Sequence, residues 1–361
     1  MPRISASLLR EFADALLLAG GASEDEASLV ASSLVGANLR GYDSHGVMRI
    51  PYYIQAMHDG EVLPGAELTV TSHSASPIVA DANWGFGQVQ ANRLLDRLSE
   101  QAAQQGLGVG TMVHCGHIGR LGEYCELAAA RGLLSILMVN SHGAAVRVAP
   151  PGGIAPRLST NPLAMGIPNG PNGEEPLVLD FSTSATAEGK VRVKKIAGEK
   201  CPDGWLLDNL GRPTCDPNTL YGNPPGSILP MGGSQAYKGF GLGLMIEIFC
   251  GALSGGVCAR EVPYPKKGNC VFMLLLDPRH FGGADHFRAE VTQLTEYVRS
   301  CPRLEGVERI LLPGDPERFF LQKKMAEGIT LDAENWSALV KLAERLQVSV
   351  PETNDSYART S

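Results

Sequence analysis

The amino-acid sequence has no long apolar run, no closely paired cysteines and no excess of positive charge. Its eight cysteines include no C-x-x-C pair, which predicts free thiols in a reducing cytoplasm rather than disulfides or structural zinc. No segment approaches the ~20 apolar residues of a membrane helix, and charged residues interrupt the N-terminal segment, unlike a signal peptide. The net charge of −7 offers no electrostatic basis for binding nucleic acid or an anionic membrane. We therefore expect a cytoplasmic globular protein.

The common dinucleotide-binding fingerprint is also missing. That fingerprint is G-x-G-x-x-G at a turn between a strand and a helix. The glycines at 106, 108 and 110 have the wrong spacing and lie in a predicted strand, and those at 239, 241 and 243 lie in a predicted helix. The motifs therefore exclude a Rossmann-type phosphate cradle.

Helix signals dominate the N-terminal part of the chain. Ser5 is placed to cap a helix that ends near residue 19. Ser23 and Glu26 form a capping box for a second helix that ends near residue 39. A third helix is predicted to follow a short connector at Ser44 and to end near residue 57, with Pro51 in its first turn.

The remaining chain alternates between strand and helix patterns, which predicts a sheet flanked by helices. Strands are predicted at 68–71, 77–80, 107–113, 134–139, 162–167, 177–181 and 271–276, and helices at 88–105, 120–131, 237–253 and 329–346. Residues 198–232 are predicted to be mostly loop, and 350–361 to be frayed. The predicted fold class is mixed α/β: a helical module (1–75) joined by C-terminal helices (278–361), and a central sheet domain (76–277).

A serine, a histidine and an arginine lie within six residues of each other, at Ser44, His45 and Arg49. A histidine can exchange a proton near neutral pH, and an arginine can hold a carboxylate with two parallel hydrogen bonds. If the segment is helical, Arg49 lies one turn after His45 on the same face. These residue types suit a small keto or hydroxy acid.

Further motifs follow in a fixed order along the chain. They are His117-Ile118-Gly119-Arg120, Ser159-Thr160-Asn161-Pro162, Leu179-Asp180-Phe181-Ser182, Ala236-Tyr237-Lys238-Gly239 and Leu312-Pro313-Gly314-Asp315. Together with the 44–49 segment, this ordered set resembles the malate/L-lactate dehydrogenase family of the second type, over about residues 5 to 345. The run from His117 to Gly122 and the run from Gly251 to Gly256 most resemble the bacterial hydroxycarboxylate dehydrogenases.

The resemblance implies a non-Rossmann fold and a reaction. It implies an NAD(P)-dependent dehydrogenase that interconverts a small 2-hydroxy acid and its 2-oxo acid, with NAD or NADP as cofactor. It further implies a homodimer, with the site near the subunit boundary and in the central domain. The choice between NAD and NADP and the identity of the acid stay open at this stage.

The family's functional positions can be placed on this chain one by one. The resemblance assigns proton transfer to His45, oriented by Ser44, or to His117, with His45 slightly favoured. It assigns substrate contacts to Arg49, Thr160 and Ser141. It assigns cofactor contacts to His45, Gly119, Arg120, Leu121, Val178, Leu179, Asp180, Phe181, Ser182, Tyr237, Lys238, Asn269, Gly314, Asp315, Pro316 and Glu317.

Two alternatives remain beside this interpretation. One is a cyclic imino acid reductase, but those relatives carry an aspartate where this chain has Lys190. The ureidoglycolate branch is disfavoured because the segment Cys258–Asn269 is shorter here. The other alternative is a metal-dependent lyase or hydrolase that uses His45, His114 and His117, although no paired carboxylate is close in sequence. We predict no metal site.

Overall fold

Helices and strands alternate along the chain in a computed structural model that describes residues 2–71, 76–168 and 175–353. The helices are α1 (Ala6–Ala19), α2 (Glu24–Leu39), α3 (Ile50–His58), α4 (Gly87–Gln105), α5 (Gly122–Ala130), α6 (Glu188–Ile196), α7 (Ala236–Glu247), α8 (Ala284–Arg299), α9 (Asp315–Glu327) and α10 (Ala333–Leu346). The strands are β1 (Arg3–Ile4), β2 (Thr69–Val70), β3 (Ile78–Asp81), β4 (Leu107–Cys115), β5 (Leu134–Asn140), β6 (Pro162–Ile167), β7 (Leu177–Ser182), β8 (Leu206–Leu207), β9 (Pro213–Thr214), β10 (Ser227–Ile228), β11 (Asn269–Leu276) and β12 (Ile329–Thr330).

The central sheet has seven strands in the order β2-β3-β4-β11-β5-β6-β7. Only β3 and β4 pair in parallel, and the other neighbours are antiparallel. Helices α4 and α5 cover one face, where Leu94, Leu98 and Tyr124 are fully buried. Helix α7 packs on the other face, around Ile246 and Cys250. The expected fold class, a mixed sheet flanked by helices, is confirmed.

The first two helices begin at the predicted caps. The Ser5 hydroxyl accepts a hydrogen bond from the amide of Leu8, and Ser23 and Glu26 form the complete capping box. Helices α1, α2, α3 and α10 enclose one apolar core, in which Leu9, Leu16 and Leu34 have no exposed surface. The division of the chain at 75 and 277 stays a prediction.

The structure adds detail to four local predictions. The short connector at Ser44 is confirmed: it forms two 3-10 turns, Asp43–His45 and Val47–Arg49, separated by extended backbone at Gly46, and Pro51 lies in the first turn of α3. Residues 329–330 form β12, which pairs with β1, so the last helix begins four residues later. The 198–232 region is mostly loop, as predicted, and it also contains a small sheet of β8, β9 and β10. Helix α7 ends at Glu247 and continues as a π-helical segment, Ile248–Ala252.

The predicted frayed terminus at 350–361 lies mostly outside the described residues, since these end at 353. Among the residues described, no helix is both long enough and apolar enough to cross a membrane.

Candidate functional site

Five of the predicted site residues lie at one edge of the central sheet. Antiparallel pairing places the last residues of β4, β5 and β7 beside the first residues of β6 and β11. His117 and Ser141 follow the first two strand ends, Thr160 precedes β6, Ser182 ends β7 and Asn269 begins β11. The topology therefore brings together residues that lie far apart in the sequence.

Asn269 holds two of these segments next to each other. Its side-chain oxygen accepts a hydrogen bond from the amide of Ile118 at 3.0 Å, and its side-chain nitrogen donates to the carbonyl of Asn140 at 2.8 Å. Both polar atoms of the side chain are therefore engaged within the protein. Its predicted contact with a cofactor stays a prediction, and its structural role is to join the segments at 117–119 and 140–141.

The buried Asn38 shapes the turn that carries Ser44, His45 and Arg49. Its side-chain nitrogen donates to Asp43 at 2.7 Å, and its side-chain oxygen accepts from the amide of Val47 at 2.9 Å. Gly46 packs so closely against this amide that a Cβ would overlap it. The combination of a buried asparagine and a glycine therefore sets the path of the turn.

His45 and His117 lie face to face in the site. Their ring centroids are 5.5 Å apart with an angle of 25° between the planes. Nδ1 of His45 is 3.0 Å from the Ser44 hydroxyl. Burial first, and then the charge of Arg49, lower the pKa of His45 to about 3 and hold the pKa of His117 well below its usual value. Both rings are therefore neutral near pH 7 in the protein alone.

Arg49 keeps most of its hydrogen-bonding capacity free. Its Nε donates to the carbonyl of Ser44 at 2.7 Å, which fixes the side chain against the turn. Neither of its terminal nitrogens has a hydrogen-bond partner within residues 2–71, 76–168 and 175–353. A guanidinium anchored at Nε and open at both terminal nitrogens has the geometry needed to bind a carboxylate.

Two residues that were not predicted from the sequence lie behind His117. The Tyr53 hydroxyl lies 2.7 Å from Nδ1 of His117, and the side-chain nitrogen of Gln88 lies 2.9 Å from the same hydroxyl. Both side chains are buried, on α3 and α4. The one available signal is that Tyr53 lies one helical turn after Arg49, whereas nothing in the sequence singles out Gln88.

The predicted cofactor segments converge around Tyr42, which sequence analysis also missed. Its hydroxyl donates to Glu317 at 2.9 Å and lies 3.3 Å from the carbonyl oxygen of Asp180. The Asp180 carboxylate accepts from the amide of Gly122 at 2.7 Å, and the amide of Val178 donates to the carbonyl of Pro313 at 3.2 Å. The segments 119–122, 178–182 and 313–317 are therefore neighbours, and the ring of Tyr42 lies edge-on to that of His45.

Asp180 and Arg120 are charged residues of these neighbouring segments. Burial, more than any other factor, raises the pKa of Asp180 to about 6. Arg120 is 3% exposed and pairs with Glu126 at 2.8 Å, while its Nε and Nη1 are buried without a partner in the described part of the chain. Its guanidinium also lies 5.8 Å from the centre of the Tyr42 ring. A phosphate contact for Arg120 stays a prediction, and it would have to reach a buried side chain.

The remaining predicted residues lie in the converging segments or at the start of α7. Gly314 has a φ of +94° and caps the start of α9, which begins with Asp315, Pro316 and Glu317. Tyr237 is 59% exposed at the start of α7, and the ammonium of Lys238 lies 5.9 Å from the centre of its ring. Gly119, Leu121, Leu179 and Phe181 belong to the converging segments. Their cofactor contacts are untested.

His114 has hydrogen-bond and ring partners different from those of His117. Its Nδ1 is 2.9 Å from the Asp81 carboxylate, and its ring lies 4.9 Å from that of Trp84 and 5.4 Å from that of His142. In the part of the chain that the structure describes, no cluster of three or more histidine, cysteine, aspartate or glutamate side chains is arranged to hold a metal ion.

Comparison with known proteins identifies the family of the chain. The family model described as malate/L-lactate dehydrogenase matches residues 4–340. An L-lactate dehydrogenase from Cupriavidus necator is 35% identical over 352 residues, which cover 97% of this chain and 99% of the relative. Hydroxycarboxylate dehydrogenase B from Escherichia coli is 34% identical over 354 residues, 97% and 95% of the two chains.

Solved structures agree with this assignment. The malate dehydrogenase of Pyrococcus horikoshii superposes with a TM-score of 0.86 at 28% identity, over 97% of each chain. The resemblance inferred from the ordered motifs is thus confirmed over nearly the whole chain. The chain belongs to the malate/L-lactate dehydrogenase family, whose members among these relatives are oxidoreductases acting on hydroxy acids.

Proposed function

We propose that the protein is an NAD(P)-dependent dehydrogenase that interconverts a small 2-hydroxy acid and its 2-oxo acid. The observation that carries this proposal is the open fork of Arg49 beside the stacked rings of His45 and His117. Arg49 binds the substrate carboxylate and orients the adjacent carbonyl toward the two imidazoles. The family membership and the curated hydroxy-acid dehydrogenases among the relatives support the same reaction class.

The converging segments are suited to hold a nicotinamide dinucleotide. Arg120 has two buried nitrogens without a partner in the described chain, and Gly314, which has a φ of +94°, is buried at the start of α9. We assign the segments 119–121, 178–182 and 314–317 to the dinucleotide, with Tyr237, Lys238 and Asn269 as outer contacts. The bound nicotinamide supplies or accepts the hydride at the substrate carbon. Whether NAD or NADP is used depends on which group meets the ribose 2′ position.

We assign the proton transfer to His45, with Ser44 as its partner. When a substrate carboxylate neutralises Arg49, it removes the second largest cause of the low pKa of His45. The pKa of His45 therefore rises as the substrate binds, and the ring can take up a proton for the carbonyl oxygen. Thr160 and Ser141, which lie at the same sheet edge, complete the proposed substrate contacts.

Lys190 bears on the alternative substrate. Gly189 packs against Ser44, with only 2.6 Å between a Cβ added at Gly189 and Cβ of Ser44, so the start of α6 lies beside the proposed site. The next residue, Lys190, is exposed and offers a cation where the imino acid reductases have a carboxylate. This charge favours an open-chain 2-oxo acid over a cyclic imine.

We also propose that the protein acts as a homodimer. Helix α7 and its π-helical continuation present an apolar surface in which Met245, Ile248, Phe249 and Leu253 are each 39–59% exposed. Exposed apolar patches of this kind mark interaction sites in globular proteins. Light scattering of the wild-type protein and of Ile248→Glu tests this: a dimer that dissociates in the variant supports the proposal, and a monomeric wild type contradicts it.

The first experiment measures oxidation of NADH and of NADPH by the purified protein. The substrates are oxaloacetate, pyruvate, phenylpyruvate and piperideine-2-carboxylate. Turnover with an open-chain 2-oxo acid, lost in His45→Ala without loss of folding, supports the proposal. Turnover with the cyclic imine alone contradicts the interpretation of Lys190. Absence of both turnover and nucleotide binding overturns the proposed function.

A further inference from the structure

Tyr53 and Gln88 form a buried hydrogen-bonded chain that ends on His117. Gln88 has no exposed surface and Tyr53 is 2% exposed, so water does not compete for these bonds. The Gln88 side-chain nitrogen is 2.9 Å from the Tyr53 hydroxyl, which is 2.7 Å from Nδ1 of His117. In a buried chain of this kind each group has a defined role as donor or acceptor, because each hydrogen can form only one hydrogen bond.

These roles follow from counting hydrogens. As the Gln88 amide is oriented in the structure, its nitrogen faces the Tyr53 hydroxyl and its Oε1 is buried without a partner among the described residues. The nitrogen is a donor only, so the Tyr53 oxygen accepts from it. The single hydrogen of the Tyr53 hydroxyl then points to Nδ1 of His117, which must accept. A neutral imidazole that accepts at Nδ1 carries its hydrogen on Nε2. Nε2 of His117 has no protein partner in the described part of the chain, and the residue is partly exposed.

His45 is held differently, although the two rings are stacked. Its Nδ1 faces the Ser44 hydroxyl at 3.0 Å, and that hydroxyl has no other hydrogen-bond partner within the described residues. A free hydroxyl rotates, so it can donate to a neutral ring or accept from a protonated one. The contact between Ser44 and His45 therefore tolerates both protonation states, whereas the chain behind His117 favours one.

We propose that Tyr53 and Gln88 are positioning residues that keep His117 neutral with its hydrogen on Nε2, so that His117 donates a hydrogen bond to the substrate carbonyl and His45 transfers the proton. This assignment of roles to His117 and His45 rests on the proposed function. In the reducing direction the carbonyl carbon gains a hydride from the reduced nicotinamide, and the carbonyl oxygen gains the proton of His45. His117 stabilises the negative charge on that oxygen without losing its own hydrogen.

The surroundings of His117 support a neutral ring. With the Gln88 side-chain nitrogen facing the Tyr53 oxygen, a proton on Nδ1 of His117 would face the hydroxyl hydrogen of Tyr53. The charged and titratable groups that most affect His117 are Arg49 and His45, and both disfavour a positive charge on it. Burial acts in the same direction and holds the pKa of His117 well below its usual value.

The first test reads the tautomer directly and does not depend on turnover. Ring nitrogen-15 NMR of histidine-labelled protein, with His117 assigned by loss of its signals in His117→Gln, distinguishes hydrogen on Nε2 from hydrogen on Nδ1. We expect the Nε2–H form in the wild type and a mixture in Tyr53→Phe. A wild-type His117 that carries its hydrogen on Nδ1, or is protonated at pH 7, overturns the proposal even if the enzyme is active.

The second test is a kinetic double-mutant cycle. Removing the hydroxyl in Tyr53→Phe leaves Nδ1 without its donor, and we expect kcat to fall about tenfold to hundredfold. The KM for the 2-oxo acid should change little, because Arg49 is untouched. In a His117→Ala background, Tyr53→Phe should have almost no further effect. Tyr297→Phe, at an exposed position on α8, is the matched control.

The outcomes separate positioning from a general structural role. Additive effects of Tyr53→Phe and His117→Ala, or a wild-type kcat in Tyr53→Phe, contradict the proposal. The pH dependence of kcat/KM should keep its titration in Tyr53→Phe and lose it in His45→Gln. The reverse pattern would assign proton transfer to His117 and overturn the assignment of roles proposed here. An inactive wild type that shows the predicted tautomer overturns the proposed function alone.

Discussion

Replacing Arg49 with glutamine tests the proposed carboxylate clamp most directly. The substitution removes the charge and the two free terminal nitrogens, but it leaves a side chain that can still fill the space. Each charge-assisted hydrogen bond to a carboxylate contributes about 1.5–3 kcal/mol. Loss of two such bonds, partly replaced by the amide, amounts to about 3–4 kcal/mol of transition-state stabilisation. We expect kcat/KM for the 2-oxo acid to fall roughly 10²–10³-fold.

The same substitution changes the pH dependence in a defined direction. The positive charge of Arg49 lowers the pKa of both His45 and His117, so its removal raises both values. A histidine with a raised pKa stays protonated to a higher pH. The titration seen in kcat/KM at low pH should therefore move to higher pH in Arg49→Gln. A parallel fall in activity with no movement of the titration would contradict the electrostatic part of the argument.

The assay needs two comparison variants. Arg49→Lys keeps the charge but not the two-pronged geometry, and we expect a loss between that of Arg49→Gln and the wild type. Arg10→Gln removes an exposed arginine of α1 and should leave the kinetics unchanged. Thermal unfolding of each variant controls for the lost bond between Nε and the Ser44 carbonyl. If kcat/KM in Arg49→Gln stays within about threefold of the wild type, Arg49 is not the carboxylate clamp.

Four further substitutions, one of them a control, test other parts of the structure. Folding raises the pKa of the Asp180 carboxyl group from 3.8 to about 6, so ionisation of this group costs the native state about 3 kcal/mol as the pH rises through that window. In Asp180→Asn this loss is absent, and the unfolding free energy should fall less than in the wild type as the pH rises. Equal slopes in urea titrations from about pH 4 to pH 7 would contradict this. Asn38→Ala should lower the unfolding free energy by about 1–3 kcal/mol and reduce kcat/KM, since it removes one buried and one partly buried hydrogen bond to the turn that carries Ser44, His45 and Arg49. Gly87→Ala should displace the backbone of His117 and reduce kcat, whereas Gly108→Ala, which overlaps backbone away from the site, should destabilise the fold without a specific kinetic defect.

Local signals in the sequence determined several elements and the family. The caps at Ser5 and Ser23 depend on atoms three residues away, so the sequence pattern alone was sufficient to place the first two helices. All seven strands of the central sheet overlap segments that the sequence predicted as strands. The ordered motifs around His45, His117 and Asp180 were specific enough for the family to be recognised, and the comparisons confirm it.

Only the tertiary structure decided how distant segments meet. The pairing of β1 with β12 joins residues more than 320 positions apart, and no local pattern distinguishes that strand from the start of a helix. The chain from Gln88 through Tyr53 to His117 links two helices and a loop, and its residues look like ordinary core residues in the sequence. Short-range hydrogen bonds and periodicity are encoded where they occur, but long-range contacts depend on packing that the whole chain must satisfy at once.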